Sequence, residues 1–151
     1  MTRVNLIPVE QLTDQHLMAE WRELKMVPAA LRRSLATKSL ADILESIPER
    51  YTLNKGHVRF FYNKMGFLAK RYESLTAELL DRGYNLSDTS PFSKYTYDLP
   101  EFFFFKVWTP DADEIAINQE RITQKLQMKS GWYRYRSQII EDSRKNLFMG
   151  L

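Results

Sequence analysis

The stretch HVRFFYNKMGFLAKRYESLTAELLDRG, residues 57–83, places Val58, Phe61, Tyr62, Met65, Leu68, Tyr72, Leu75 and Leu79 three or four positions apart without a break. That period is one face of an α-helix, and Gly83 stands where a left-handed cap would end it. The spacing therefore predicts one continuous amphipathic helix. Toward the N-terminus, Thr13 or Asp14 can serve as N-cap, and Leu17, Met18, Trp21 and Leu24 follow on one face, which predicts a helix over about 14–26. A shorter helix is expected after Pro28, through Ala29, Ala30, Leu31, Arg32, Arg33 and Leu35. Toward the C-terminus, Asp111, Asp113 and Glu114 put negative charge at the positive end of a helix that starts after Pro110, continues through Ile115, Ile122 and Leu126, and should end near Gly131. Residues 84–109 carry many aromatics but no sustained period, so they read as a long ordered loop packed by Phe and Tyr. Loops of that length are often functional. The fold class is mainly α: a single compact helical domain with long loops.

Composition agrees and removes several functions. With 151 residues, 44% hydrophobic and 27% charged, the chain suits one folded domain and not a disordered or fibrous class. Its 22 basic and 19 acidic residues leave a net charge of +3, too small to decide a partner. The absence of cysteine excludes a disulfide scaffold, a Cys-based metal site and a thiol nucleophile. Pro8, Glu10 and Asp14 interrupt the first apolar residues, so no secretory leader is expected. The most apolar segment, 102–108, contains Lys106 and is far shorter than a membrane helix, which makes a cytoplasmic protein without a membrane partner the expectation. Gly-rich phosphate loops, paired ligand histidines and nucleophile elbows are missing. His16 and His57 are too few for most histidine metal sites, and each by itself reads as a hydrogen-bonded structural residue. No metal or cofactor is expected.

Three features could carry chemistry. At about 100° per residue, His16, Glu20 and Glu23 fall within roughly 60° of one another on the first helix, bordered by Arg22 and opposite the apolar face. This face suits either ordinary ion pairs in solvent or acid–base work. The cluster Trp132, Tyr133, Arg134, Tyr135, Arg136 follows the last helix, on which Arg121 and Lys125 lie one turn apart. Cations neutralise phosphates and aromatic planes stack on bases, although an aromatic lock at a helix end would use the same residues. Arg3, Arg22, Arg32, Arg33, Arg59, Lys70 and Arg71 add basic density, and several of them on one face would make a strong local field. The third feature is Thr2, small enough that the initiator Met is normally trimmed before it. An α-amine titrates near pH 8, so roughly a tenth or more of it is neutral at pH 7, and a nearby Arg3 would lower its pKa further.

These residues lie in a recognisable order. Met1-Thr2-Arg3-Val4-Asn5-Leu6 and Asp14-Gln15-His16-Leu17-Met18-Ala19-Glu20-Trp21-Arg22-Glu23-Leu24 resemble the phage endonuclease V family of pyrimidine-dimer DNA glycosylases with abasic-site lyase activity. Gly56-His57-Val58-Arg59-Phe60-Phe61-Tyr62-Asn63-Lys64 and Arg82-Gly83-Tyr84-Asn85-Leu86-Ser87-Asp88-Thr89 are similar to the start and end of that family's long helix. Ile115-Ala116-Ile117-Asn118-Gln119-Glu120-Arg121 and Trp132-Tyr133-Arg134-Tyr135 are similar to its last helix and aromatic segment, so the blocks span residues 2–136, with 137–151 a weakly matched C-terminal extension.

The resemblance implies an N-terminal segment threaded between helices, bringing residue 2 beside Glu23. It implies that the α-amine of Thr2 attacks C1′ of the 5′ deoxyribose of a cyclobutane dimer, displaces the base and forms an imine. Glu23 would stabilise the cationic sugar and assist the proton transfers that end in β-elimination. Carried over by position, Arg3, Gln15, His16 and Arg22 match residues that hold DNA around the site, and Arg121 and Lys125 match phosphate contacts. Arg32, Tyr133 and Arg134 are further candidate DNA contacts. Met26 stands where the family has an arginine, with Lys25 as the neighbouring substitute. The expected partner is double-stranded damaged DNA, bound by a monomer with recognition of shape rather than sequence. The alternatives are the same imine chemistry on another damaged base, such as a ring-opened purine, and a non-catalytic DNA-binding helical module.

Overall fold

The apolar repeat over 58–79 folds as two helices rather than one. In the computed structural model, which describes residues 4–140, the helices in chain order are α1 (Asp14–Glu23), α2 (Met26–Thr37), α3 (Leu40–Glu45), α4 (His57–Phe60), α5 (Met65–Asp81), α6 (Ser93–Thr96) and α7 (Ala112–Met128). A hairpin of β1 (Arg134–Tyr135) and β2 (Gln138–Ile139) follows, paired antiparallel. The fold is mainly α, as expected.

Lys64 explains the interruption between α4 and α5. In a continuous helix its backbone N–H would donate to the Phe60 carbonyl; instead that N–H takes Phe61 O at 2.9 Å. The Lys64 side chain serves Phe60 O, with Nζ at 2.8 Å, and donates to Asn63 Oδ1 at 2.9 Å. The ammonium also lies 3.8 Å from the Phe60 ring centre, although its residue is buried. The break buries both Phe60 and Phe61, which meet edge to face and hold Trp108 between them and Phe67. Beyond it, α5 buries Met65, Leu68, Tyr72, Leu75 and Leu79, the expected face. Gly83, at φ +93°, ends it, with the Tyr84 N–H on Leu79 O and the Gly83 N–H on Leu80 O.

Other boundaries shift for local reasons. Thr13 is the α1 N-cap, accepting from the His16 N–H at 3.1 Å. The helix stops at Glu23 rather than 26, because Pro28 has no N–H for the Leu24 carbonyl and its ring would collide with it. Leu24 O is met by the Val27 N–H at 3.2 Å, and Pro28 falls in the first turn of α2. The segment 84–109 is not all loop, since it holds α6 and a 3₁₀ turn at Glu101–Phe104, packed inward by Phe92 and Phe103. Asp111 and Glu114 cap α7 reciprocally, and α7 ends at Met128, short of Gly131.

The N-terminal segment 4–7 threads through the middle of the molecule, as the resemblance implies. Val4, Asn5, Leu6 and Ile7 are buried. The segment pairs with no strand among the described residues, so side chains satisfy its backbone. Asn118 of α7 accepts from the N–H groups of Leu6 at 2.7 Å and Ile7 at 3.3 Å. Arg71 of α5 donates to Ile7 O at 2.6 Å, and His57 and Tyr51 take the two backbone polar groups of Val4. Among the described residues, no helix is long and apolar enough to cross a membrane.

Two predictions follow from this packing. Asn118→Ala orphans two buried N–H groups and the Asn5 carboxamide oxygen, and should cost about 2–4 kcal/mol in urea unfolding; a loss below about 1 kcal/mol would mean that water replaces the Asn118 carbonyl. The second concerns Lys64, whose pKa is lowered to about 8, chiefly by burial and further by Lys106, with Glu114 opposing. The folded lysine releases its proton more readily than the unfolded one, so its contribution makes stability rise with pH from about 8 toward 10.5. Tyr72, whose pKa burial raises above 10, works in the opposite direction above that pH. Stability of the wild type relative to Lys64→Met should therefore be flat below pH 8 and climb between pH 8 and 10; a flat difference would show that burial leaves the ammonium unaffected.

Candidate nucleic-acid interface

The expected ionisable face of α1 divides in two. Glu20 does not share an open surface with His16 and Glu23, because it is 1% exposed and turned inward. Its carboxylate meets Arg71 Nε at 2.8 Å and Arg71 Nη2 at 3.0 Å, and also accepts from Asn5 Nδ2 at 2.9 Å. Arg71, counted toward basic density, therefore adds its charge to the interior and not to an open face. A buried pair of this quality is held because removing either partner leaves an uncompensated charge. Glu23, one turn later, is half-buried, and its side chain makes no hydrogen bond or ion pair among the described residues. Thr2 and Arg3 lie outside the described residues.

The first turn of α1 clasps the C-terminal hairpin through three consecutive side chains. Asp14 is buried, and its carboxylate accepts the N–H groups of Arg136 at 3.0 Å and Ser137 at 2.8 Å, plus Arg82 Nη1 at 2.9 Å. Arg136 and Ser137 have φ +48° and +69°, so the carboxylate holds a turn that neither residue favours. Gln15 donates to Trp132 O and accepts from the Arg134 N–H, both at 2.9 Å. The His16 ring stacks on Tyr133 at 4.8 Å and 7°, with Nδ1 2.7 Å from Thr13 Oγ1. Burial pushes the Tyr133 hydroxyl pKa up. The Tyr135 hydroxyl reaches Glu10 O at 2.5 Å, and its ring covers the Arg82 guanidinium.

Between α1 and the hairpin lies an open groove of about 600 Å³. Met18 and Ala19 supply apolar surface, Tyr84 lies alongside, and the exposed Arg22 and Arg134 add two positive charges to its lining. Folding thus brings Gln15, His16, Arg22, Tyr133 and Arg134 to one side of the molecule. The remaining candidates are dispersed. Lys25 holds its ammonium 5.1 Å from the Trp21 ring centre and 5.6 Å from that of Tyr95. Arg32 is tied by Nε at 2.8 Å and Nη2 at 2.6 Å to Asp98, and by Nη2 to Tyr95 O. Their mutual hydrogen bonds raise the Arg32 pKa and lower that of Asp98.

On α7, Arg121 lines a cleft of about 420 Å³ with Tyr51, Thr52, Asn54 and Gln124. Its Nε is buried without a hydrogen-bond partner among the described residues, and Lys125 is half-buried one turn on. No group of three or more His, Asp or Glu side chains among the described residues gathers to hold a metal ion.

Two polar residues that build this scaffold, Asn118 and Arg82, differ in how far the sequence marks them. Asn118 offered a signal, since it sits on the apolar stripe of α7 between Ile115 and Ile122. Arg82 did not: its side chain is fully buried between Asp14 and Glu78, a placement that helical period alone does not reveal.

A family model described as pyrimidine dimer DNA glycosylase matches residues 1–91. The matched span holds the threaded segment, the whole of α1 and its Arg71 partner, whereas α7 and the hairpin lie outside it. Since that match covers more than half of the chain, the protein belongs to the family of pyrimidine dimer DNA glycosylases, enzymes that act on damaged DNA in its repair.

Proposed function

We propose that the protein breaks the glycosidic bond of the 5′ base of cyclobutane pyrimidine dimers in double-stranded DNA and then cleaves the strand at the resulting abasic sugar, with the α-amine of Thr2 as nucleophile. The neutral amine nitrogen bonds to C1′, the glycosidic bond breaks with its electron pair and a proton from the amine passing to the base, and cleavage of C1′–O4′ with protonation of O4′ opens the sugar to a protonated imine. Loss of a C2′ proton and departure of the 3′ phosphate complete β-elimination, and water then releases the enzyme. Glu23 stabilises the cationic sugar and moves these protons. No step in this route calls for a metal.

The observation that carries this reading is the course of the threaded segment. Arg82 holds Val9 O and Glu10 O beside Asp14 at the start of α1, and Asn5 bonds Glu20 further along it. The segment therefore runs antiparallel to α1. Glu23 lies one turn, about 5 Å, beyond Glu20, and two further residues extend the chain by up to about 7 Å. At Val4 the described segment thus points toward the end of α1 that bears Glu23. Glu20 and Glu23 then have distinct tasks: the first neutralises Arg71, and the second is left to meet a positive sugar.

Duplex binding is assigned to Arg3, Gln15, His16, Arg22, Lys25, Tyr133 and Arg134 near the damaged site, and to Arg121 and Lys125 on the phosphates. The Arg121 Nε, which has no hydrogen-bond partner among the described residues, supports this assignment, because a phosphate oxygen would satisfy it. Arg32 would contact DNA only by exchanging Asp98 for a phosphate.

Borohydride added to protein with irradiated or abasic-site duplex, in EDTA, should trap a covalent adduct. Protein that retains Met1 or carries an acetylated terminus should form none while unfolding normally. Adduct formation by the blocked protein would assign the nucleophile elsewhere. Glu23→Gln should bind damaged duplex at near wild-type affinity and turn over roughly 100-fold or more slowly; near-normal cleavage would remove Glu23 from proton transfer. Arg121→Ala should reduce the slope of log affinity against log salt by about one, and an unchanged slope would count against the phosphate contact.

A further inference from the structure

We infer that His57 is a positioning residue for the N-terminal nucleophile, acting through its hydrogen bond to Val4. The inference rests on the reading of the Thr2 amine given above. Val4 is fully buried, and both of its backbone polar groups are held by side chains from the 51–57 region. Its N–H donates to His57 Nε2 at 2.8 Å, and its carbonyl accepts from the Tyr51 hydroxyl at 2.8 Å. Among the described residues no strand pairs with the segment here, so this pair of side chains sets where the chain leaves Val4.

The partners dictate the state of the imidazole. A backbone N–H can only donate, so Nε2 must be the unprotonated nitrogen. Nδ1 lies 2.7 Å from Thr52 O, which can only accept, so Nδ1 carries the proton. The ring is 2% exposed and held edge-on by Tyr51 at 5.4 Å and Phe61 at 5.6 Å. Its approach is set by Gly56, at φ +97°, where a Cβ would meet Pro48 Cγ at 2.8 Å. Tyr51 is fixed in turn by Glu114 of α7, whose Oε2 accepts the Tyr51 N–H at 2.9 Å.

A core histidine that merely filled space would not need to aim a bare nitrogen at an otherwise unsatisfied N–H. Two residues separate that N–H from the reacting amine. A misplacement at Val4 of about 1 Å is carried to the nucleophile, where such an error can cost about 100-fold in rate.

Two substitutions separate the imidazole's two bonds. His57→Asn retains a donor for Thr52 O but has no acceptor that reaches Val4. His57→Gln places a carbonyl near the Nε2 position and loses the Thr52 bond. The measurements are the single-turnover rate of borohydride-trapped adduct on abasic-site duplex, the affinity for the same duplex, and the urea midpoint. His57→Asn should form adduct at least tenfold more slowly with affinity within about twofold of wild type, whereas His57→Gln should recover to within about threefold of the wild-type rate. A His57→Asn rate equal to wild type overturns the inference, and so do rates of the two variants that fall together in step with their urea midpoints. If His57→Asn does not fold, His57→Gln decides: near wild-type adduct formation supports the inference and a tenfold loss overturns it. Absence of adduct from the wild type itself, with its N-terminus verified, defeats the amine reading and this inference with it; adduct from the wild type and both variants at one rate defeats the inference alone.

Discussion

An extended segment buried in a helical protein has backbone donors and acceptors but no neighbouring strand to pair with them. Leaving each such group unsatisfied costs about 1–3 kcal/mol, and the rest of the molecule is arranged to avoid that cost. Asn118 takes two N–H groups, Arg71 a carbonyl, and His57 and Tyr51 the two polar groups of Val4. Asn5 links Asn118 on one side to Glu20 on the other. Helices α1, α5 and α7 therefore share one buried polar network with the segment running through it. The apolar faces of these helices supply the bulk of the burial; the network decides their mutual register.

The same constraint assigns different tasks to two carboxylates on one helix. Glu20 faces the segment and is neutralised by Arg71, while Glu23 lies a turn further along with no such partner among the described residues. The first turn of α1 does different work again, since Asp14, Gln15 and His16 each hold part of the C-terminal hairpin. Arg134 and Tyr133, more than a hundred residues from α1 in the chain, are thereby presented beside Arg22. A family match that ends at residue 91 covers the threaded half of this arrangement, and the clasp joins the other half to it.

Much of the helical framework was legible because its signals are local. The apolar face of α5, the Gly83 cap, the Thr13 cap and the acidic start of α7 depend on residues within a few positions of one another. The break at Lys64 was not legible: an ammonium replaces a backbone N–H at the Phe60 carbonyl, and helical period carries no trace of that exchange. The hairpin was missed for a related reason. Its turn uses Arg136 and Ser137 where glycine or asparagine would be the usual sign, and Asp14, far away in the chain, supplies the compensation. Arg71 is legible only as basic density, because its partner Glu20 lies on another helix, 51 residues away in the chain.

The mainly α class, most of the helical faces and the family resemblance follow from residue types at fixed short spacings or in fixed order. Which polar residues of those faces are spent in the interior and which remain open depends on how the helices pack. Glu20 and Glu23 are the same residue type on adjacent turns, so nothing within α1 fixes their separate environments. Arg71 and Asn5 reach one and not the other, and a charge responds to the groups that surround it in space, however distant they are along the chain.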